Sequence, residues 1–172
     1  MWIMERRSIE VVVQSLNEAQ VRYLVVGGLA VVAHGHIRFT ADLDLVLDLE
    51  IDNLRRALAV FRELGYRPRI PVPIEQYADP EMRSAWARDK NLQVFTLCSD
   101  EHPATEIDLF VEDPLGFDGA YERAVRMEVA PGVAAVIVSL DDLLTLKKAA
   151  GRSQDLLDVD RLESLRRNHG NE

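Results

Sequence analysis

Two aspartates separated by a single residue are the most chemically informative feature of the sequence. They lie in the segment ADLDLVLDL, from Ala41 to Leu49, in which apolar and acidic residues alternate. This alternation predicts a β-strand with one apolar face and one acidic face. Asp42 and Asp44 then project from the same face, and their repulsion is costly unless a cation binds beside them. Mg²⁺ suits such a pair because it takes one or two protein carboxylates together with water and phosphate oxygens. The alternative is an acidic strand face that is only solvated.

A glycine pair precedes this strand. Gly27 and Gly28 stand between a predicted strand, RYLVV, and a predicted helix, and residues 29–41 separate them from the acidic pair. A glycine pair between a strand and a helix allows backbone amides to approach a phosphate closely. The position therefore predicts a phosphate-binding turn beside the metal site. The alternative is a tight turn without a ligand.

A third acidic candidate lies in the segment EIDLF. Asp108 stands between Ile107 and Leu109, so it is predicted to point away from the packed face of its own strand. If this strand neighbours the acidic one, three carboxylates could hold two metal ions about 3.5 to 4 Å apart, the separation used for in-line displacement at phosphorus. Asp108 would then be the base for the attacking hydroxyl. The alternative is a solvent-facing acid on an edge strand.

These motifs resemble those of the nucleotidyltransferases in the DNA polymerase beta superfamily, particularly the AbiEii/AbiGii toxin-like branch. The glycine pair, the spacer and the Asp-x-Asp pair are matched by VVGGLAVVAHGHIRFTADLDLVLD, and the apolar-Asp-apolar motif by Asp108. Arg38 and Thr40 match two residues that the branch commonly carries before the acidic pair. Near the C-terminus, LLTLKKAAGRSQDLLDV resembles the branch's Leu-x-x-Lys helix followed by Arg and an Asp-x-x-Asp pair. The resemblance covers residues 23–162.

The resemblance assigns roles to residues of this sequence. It implies metal binding by Asp42, Asp44 and Asp108, and catalysis by the same three together with Lys147. It implies nucleotide binding by Gly27, Gly28, Arg38, Thr40, Lys148, Arg152 and Asp155. Only one of the two lysines can face the site, because adjacent helical positions diverge by about 100°, and the apolar stripe slightly favours Lys147. An equally good interpretation of Arg152 and Asp155 is an ion pair that fixes two helices against each other.

The resemblance also implies a fold and an activity. The fold is α/β (α+β) of the polymerase-beta-like type, a mixed β-sheet flanked by helices, in one domain over residues 1–172 with a helical pair at about 139–167. The activity is metal-dependent transfer of a nucleoside monophosphate from an NTP to a hydroxyl of RNA, protein or a small molecule, with release of pyrophosphate. Two Mg²⁺ or Mn²⁺ ions would assist the transfer. If the chain is a toxin, its partner would be a cognate antitoxin. The alternative is a non-catalytic nucleotide-binding or toxin–antitoxin module.

Composition limits the partners. The net charge of -9 and the pI near 5.0 exclude a chain-wide basic footprint for nucleic acid. A local strip remains a candidate RNA contact: Arg67, Arg69, Arg83, Arg88 and Lys90. The single cysteine cannot form an internal disulfide, and the apolar runs are too short to cross a bilayer. We expect a cytoplasmic protein without a membrane span.

Periodicity and turn residues predict the elements that position these side chains. Helices are expected at 9–19, 29–35, 53–64, 80–88, 140–150 and 154–166. Strands are expected at 22–26, 41–49, 93–97, 106–111, 126–129 and 134–138. Asp52 is predicted to cap the third helix, and Ser139 with Asp142 to form a capping box. Prolines in the segment 66–76 exclude a helix and break any central strand, so a surface excursion is expected there.

Overall fold

Seven strands form one mixed sheet in the computed structural model, which describes residues 2–170 and the side chains of residues 7–170. The order across the sheet is β3-β4-β5-β2-β1-β7-β6. The strands are β1 Tyr23–Val26, β2 Leu43–Leu47, β3 Tyr66–Pro68, β4 Val94–Ser99, β5 Ile107–Phe110, β6 Val125–Ala130 and β7 Val133–Ile137. The expected α/β architecture, a mixed sheet with helices, is confirmed.

Seven α-helices accompany the sheet within the described part of the chain. They are α1 Trp2–Glu18, α2 Gly27–Ala33, α3 Ile51–Glu63, α4 Pro80–Lys90, α5 Phe117–Arg123, α6 Leu140–Ala150 and α7 Ser153–His169. Helix α1 contacts α3 and strands β6 and β7, whereas α6 contacts α7 and α2. No described helix has the length and apolar composition needed to cross a bilayer.

The central strands bring together segments that are distant in sequence. Strand β2 pairs antiparallel with β1 and parallel with β5. The register aligns Val26 with Asp44, and Asp44 with Asp108. Directly paired residues of neighbouring strands share a face of the sheet, so the two aspartates lie side by side. The opposite face of β2 carries Leu43, Leu45 and Leu47, which are fully buried, as the alternating pattern predicts.

The start of helix α3 differs from the expectation. Glu50 caps this helix, because its carboxylate accepts hydrogen bonds from the backbone amides of Asp52 and Asn53, each at 3.1 Å. Asp52 lies inside the first turn and pairs with Arg55 instead. The prediction that Asp52 is the cap was wrong because the helix begins earlier, at Ile51. Gly65 has a φ of +78° and follows the helix, as expected of a left-handed C-terminal residue.

The proline-containing segment 66–76 also differs from the expectation. Its first residues form β3, which pairs with β4 at the edge of the sheet. An edge strand tolerates a proline because one side of its ladder is unpaired, which is why Pro68 does not prevent the strand. Tyr66 is buried, and its hydroxyl donates to the Thr105 carbonyl at 3.0 Å. The segment ends in a 3₁₀ turn, Ile74–Ala78, whose buried Tyr77 stacks on Phe95. The segment therefore belongs partly to the core.

The C-terminal helices follow the predicted caps. The Ser139 hydroxyl accepts a hydrogen bond from the Asp142 amide at 3.2 Å, and Ser139 is therefore the N-cap of α6. Gly151, with a φ of +65°, ends α6, and α7 begins two residues later. The hairpin of β6 and β7 agrees with the sequence interpretation. The short helix α5 was missed, because its seven residues are too few for a clear periodic pattern.

Candidate active site

A cavity of about 350 Å³ opens where β1 leads into α2. Asp42, Asp44 and Asp108 form an acidic wall of this cavity, and Lys147 of α6 and Arg152 at the start of α7 also line it. The structure brings ten of the eleven predicted site residues to this cavity: Gly27, Gly28, Arg38, Thr40, Asp42, Asp44, Asp108, Lys147, Arg152 and Asp155. The exception, Lys148, is not among the lining residues.

The acidic wall is built by strand register. Asp44 and Asp108 are paired neighbours on β2 and β5, and Asp42 precedes β2. Burial, together with the charges of Asp108 and Asp42, raises the pKa of Asp44 to about 6, although Lys147 and Arg152 oppose the shift. Burial and the charge of Asp108 also raise the pKa of Asp42. Keeping Asp42 and Asp44 ionised therefore costs free energy, and a bound cation would reduce that cost.

The donor set fits a hard divalent cation. Among the described side chains, those of residues 7–170, no three His, Cys, Asp or Glu are arranged as a complete metal-ligand group. Mg²⁺ does not require one, since it takes one or two carboxylates and completes its shell with water and phosphate oxygens. Asp44 is half-buried, and both Asp44 and Asp42 have a raised pKa, so a bound divalent ion would lower the cost of keeping these two carboxylates ionised.

The two glycines are required by close packing around the acidic wall. Gly27 has a φ of +65°, and a Cβ on it would lie 2.6 Å from Cγ of Asp44 and closer still to Oδ2. A Cβ on Gly28 would lie 2.6 Å from the Thr40 hydroxyl and 3.1 Å from Nη2 of Arg38. The distances to Asp44 and Thr40 are far below van der Waals contact, and the distance to Arg38 is shorter than most such contacts. The glycines thus leave room for Asp44, Thr40 and Arg38, in addition to any room they leave for a ligand.

The two adjacent lysines of α6 lie in different environments. Lys147 is buried and lines the cavity, and its Nζ atom lies 2.9 Å from Asp155 and 3.0 Å from Asp158. Lys148 is half exposed and pairs with Glu163 at 2.7 Å. The preference for Lys147 therefore agrees with its position, and Lys148 is not brought to the cavity.

Asp155 links the two C-terminal helices through Lys147 of α6, whereas its pair with Arg152, which the sequence interpretation held to join the helices, lies within the start of α7. Its carboxylate lies 2.8 Å from Nε of Arg152 and 2.9 Å from Nζ of Lys147. Burial alone would raise the pKa of Asp155, but hydrogen bonds from Arg152 and Lys147 lower it. Arg152 itself is mostly exposed and lines the cavity. Asp155 is thus engaged by its own cations, whereas Arg152 keeps an open side toward the cavity.

Two contacts could not be found from sequence motifs. The Thr96 hydroxyl donates a 2.6 Å hydrogen bond to Oδ1 of Asp108, because the register of β4 and β5 pairs these residues. Asp158, which the motif comparison matched without assigning a role, is fully buried and contacts Lys147 and Arg38. Neither contact follows from local spacing, since both depend on packing between elements.

Four of the five residues of the basic strip considered for RNA are paired within the chain, and the fifth, Lys90, is exposed. Arg83 is buried, donates a 2.6 Å hydrogen bond to the Tyr77 carbonyl and lies over its ring. The other three arginines pair with neighbouring acids: Arg67 with Asp100, Arg69 with Glu106 and Arg88 with Asp89. These pairs reduce the positive potential that nucleic acid would meet.

The fold matches that of nucleotidyltransferases of known structure. One similar structure is the lincosamide antibiotic adenylyltransferase LnuA with lincomycin bound, with a TM-score of 0.54 and 16% identity over 86% of this chain and 89% of that chain. Another is an antigenic nucleotidyltransferase-like protein from Paracoccidioides brasiliensis, with a TM-score of 0.57 and 17% identity over 94% of this chain and 76% of that chain. No family model and no curated protein matches the sequence.

Replacing Gly27 with alanine tests the packing requirement. We expect Gly27→Ala to lower the free energy of unfolding by more than the about 1–2 kcal/mol that a left-handed backbone costs an ordinary residue, because the new Cβ would also displace Asp44. Gly132→Ala is the matched control, since Gly132 has a φ of +75° and a Cβ added there would meet no heavy atom within 4 Å. Chemical denaturation of both variants measures the difference. Equal losses would contradict the packing argument.

The raised pKa of Asp44 predicts a pH-dependent stability. Between about pH 4 and pH 6 the folded protein binds a proton at Asp44 that the unfolded chain has released, so the free energy of unfolding falls as the pH rises through this window. We expect Asp44→Asn to be more stable than the wild type above pH 6 without divalent ions, by up to about 3 kcal/mol. The difference should fade below pH 4.

Asp48→Asn is the control for this experiment. Asp48 pairs with Arg22 and does not line the cavity, so its loss should lower stability instead. Added Mg²⁺ should stabilise the wild type and leave Asp44→Asn nearly unchanged, because an ion that binds only the folded state stabilises it. Equilibrium denaturation from pH 4 to pH 8, with and without Mg²⁺, provides the measurement. If Asp44→Asn is less stable than the wild type at pH 7.5 without metal, the raised pKa of Asp44 is refuted.

Proposed function

We propose that this chain is a nucleotidyltransferase that moves a nucleoside monophosphate from an NTP to an acceptor hydroxyl and releases pyrophosphate. The observation that carries the proposal is the pairing of Asp44 with Asp108 across β2 and β5, in a cavity that Lys147 and Arg152 also line. Carboxylates and cations in one cavity suit a substrate that brings both bound divalent ions and phosphate charge. The nucleotidyltransferase fold supports the same conclusion.

Asp108 is proposed as the base. Thr96 donates to its Oδ1 atom, which leaves Oδ2 to accept the proton of the acceptor hydroxyl. The acceptor oxygen then forms a bond to the α-phosphorus while the bond from that phosphorus to the bridging oxygen breaks. The electron pair of the broken bond leaves with pyrophosphate. The hydrogen bond from Thr96 fixes the orientation of the carboxylate for this transfer.

The remaining lining residues bind and orient the triphosphate in this proposal. Asp42 and Asp44 would hold Mg²⁺ or Mn²⁺, which would offset the charge of the phosphate oxygens, while Asp108 acts as the base. Gly27 and Gly28 line the cavity next to this position. Lys147, Arg152 and Arg38 line the cavity, and their positive charge favours the pyrophosphate as negative charge accumulates on it.

We further propose that the acceptor is a small hydroxyl-bearing molecule that is uncharged or cationic. The net charge of -9 opposes the approach of a polyanion, and four arginines of the candidate RNA strip are engaged by the chain itself. One structure of the same fold is an adenylyltransferase of an antibiotic, with lincomycin bound, which agrees with a small acceptor. A protein hydroxyl lacks the same electrostatic objection and is the next candidate for the assay.

The toxin role and the cognate antitoxin remain predictions of the motif resemblance. They would require growth arrest on expression and its relief by a co-expressed partner. A non-catalytic nucleotide-binding module is distinguished from the enzyme by nucleotide binding without pyrophosphate release.

Two substitutions test the proposed chemistry. Asp44→Asn and Asp108→Asn should each lower the turnover rate by about a thousandfold or more, because one removes charge that balances the metal and the other removes the base. Asp48→Asn should retain activity, since Asp48 lies outside the cavity. The measurement is the release of pyrophosphate from each of the four NTPs, with Mg²⁺ or Mn²⁺, against panels of small hydroxyl compounds, proteins and RNA. Wild-type rates in the Asp108→Asn variant would exclude Asp108 as the base.

The salt dependence of the reaction tests the class of acceptor. With a small uncharged or cationic acceptor, we expect kcat/KM for the acceptor to change by less than about tenfold between 50 and 200 mM KCl. An RNA acceptor held by six to ten phosphate contacts would lose about 10³- to 10⁵-fold in affinity over this range. A parallel series with the NTP varied at saturating acceptor separates the effect of salt on the donor. A loss in the range given for RNA would exclude the small-molecule proposal.

A further inference from the structure

Asp158 is a fully buried carboxylate on α7 that does not line the cavity. Its oxygens lie 3.0 Å from Nζ of Lys147 and 3.0 Å from Nε of Arg38. The contact with Nε is an ion pair without hydrogen-bond geometry, whereas Nη2 of Arg38 donates a hydrogen bond at 3.1 Å and Gln154 donates one at 3.0 Å. Each of these three partners lines the cavity. Asp158 is therefore one step removed from the position proposed for the substrate.

The contacts of Asp158 join three separate parts of the chain. Lys147 belongs to α6, Gln154 to α7, and Arg38 to the segment between α2 and β2. Arg38 also lies against the glycine turn, since a Cβ on Gly28 would be 3.1 Å from its Nη2 atom. A single carboxylate thus fixes the guanidinium beside the glycine turn and the ammonium beside the acidic wall.

The two cations depend on Asp158 to different degrees. Lys147 has a second carboxylate partner, Asp155, at 2.9 Å. Arg38 has no other carboxylate partner among the described residues, and its remaining hydrogen bond is to the backbone carbonyl of Phe39. Loss of the Asp158 charge would therefore affect Arg38 more than Lys147. An arginine without this restraint would sample many rotamers, and binding would have to restrict them.

We propose that Asp158 is a positioning residue for the triphosphate, acting through Arg38 and, to a lesser extent, Lys147. The inference rests on the proposed function, because it assigns Arg38 and Lys147 to the phosphate groups. Asp158 makes no contact with substrate in this scheme. It holds the cations at the cavity wall in the orientation that receives the phosphates, and its burial prevents water from competing for them.

Direct binding tests the proposal without relying on turnover. Isothermal titration calorimetry with Mg²⁺·pyrophosphate, and with the Mg²⁺ complexes of ATP, GTP, CTP and UTP, is applied to the wild type and to Asp158→Asn. We expect the variant to bind pyrophosphate and the preferred NTP at least about tenfold more weakly, the scale of one hydrogen bond to a charged group. KM for the NTP should rise to the same extent, with kcat changed by less than about threefold. Asp160→Asn, an exposed acid on the same helix, should match the wild type.

A second variant keeps the test decisive if Asp158→Asn does not fold. Arg38→Lys retains the positive charge but loses the two-nitrogen contact with Asp158, and should weaken pyrophosphate binding by a similar factor. Where both single variants fold, the double variant should bind no more weakly than the weaker of the two, because they remove the same interaction.

The outcomes separate this inference from the proposed function. Unchanged pyrophosphate and NTP binding in Asp158→Asn, or in Arg38→Lys, would overturn the positioning role while leaving the enzyme proposal intact. A lower midpoint of thermal unfolding with unchanged binding, or a fall in kcat with unchanged KM, would overturn it as well. A wild-type protein that binds neither pyrophosphate nor any of the four NTPs would overturn the proposed function and this inference together.

Discussion

Repulsion between carboxylates on neighbouring strands is the constraint on which the candidate site depends. The register of β2 and β5 places Asp44 beside Asp108, and burial adds to the cost of keeping both charged, as the raised pKa of Asp44 indicates. In the folded protein this arrangement lowers stability at neutral pH. A cation that binds only the folded state would recover the lost stability. A chain selected for stability alone would have little reason to place two aspartates at this register.

The charge of the acidic wall is compensated first by cations of the cavity and then by the carboxylates that pair with those cations. Lys147 and Arg152 face Asp44 closely enough to lower its pKa. Lys147 is itself buried, and a buried ammonium requires carboxylate partners, which Asp155 and Asp158 on α7 supply. The helical pair at the C-terminus is therefore electrostatically coupled to the central strands. Changes in the outer layer should reach the cavity through the orientation of its cations, without a direct contact to the substrate.

Most of the elements follow from local patterns, and the errors have identifiable physical reasons. The strand around Asp44 and the helix capped by Ser139 were predicted because alternation and capping residues are local signals. Glu50 was missed as a cap because its longer side chain is an unusual way to reach the first amides of a helix. Strand β3 was missed because proline argues against a strand unless the strand lies at an edge. Whether a segment is an edge is a property of the whole sheet.

The sequence by itself determined the candidate chemistry, because the glycine pair, the Asp-x-Asp strand and Asp108 are recognisable from residue type and spacing. Only the tertiary structure decided which of these residues meet. The pairing of Asp44 with Asp108, the hydrogen bond from Thr96 and the choice of Lys147 over Lys148 depend on strand order and on the rotation of α6. The same holds for Asp158, whose role depends on partners 11 and 120 positions away in the chain. Contacts over such distances arise from packing, and no local pattern encodes them.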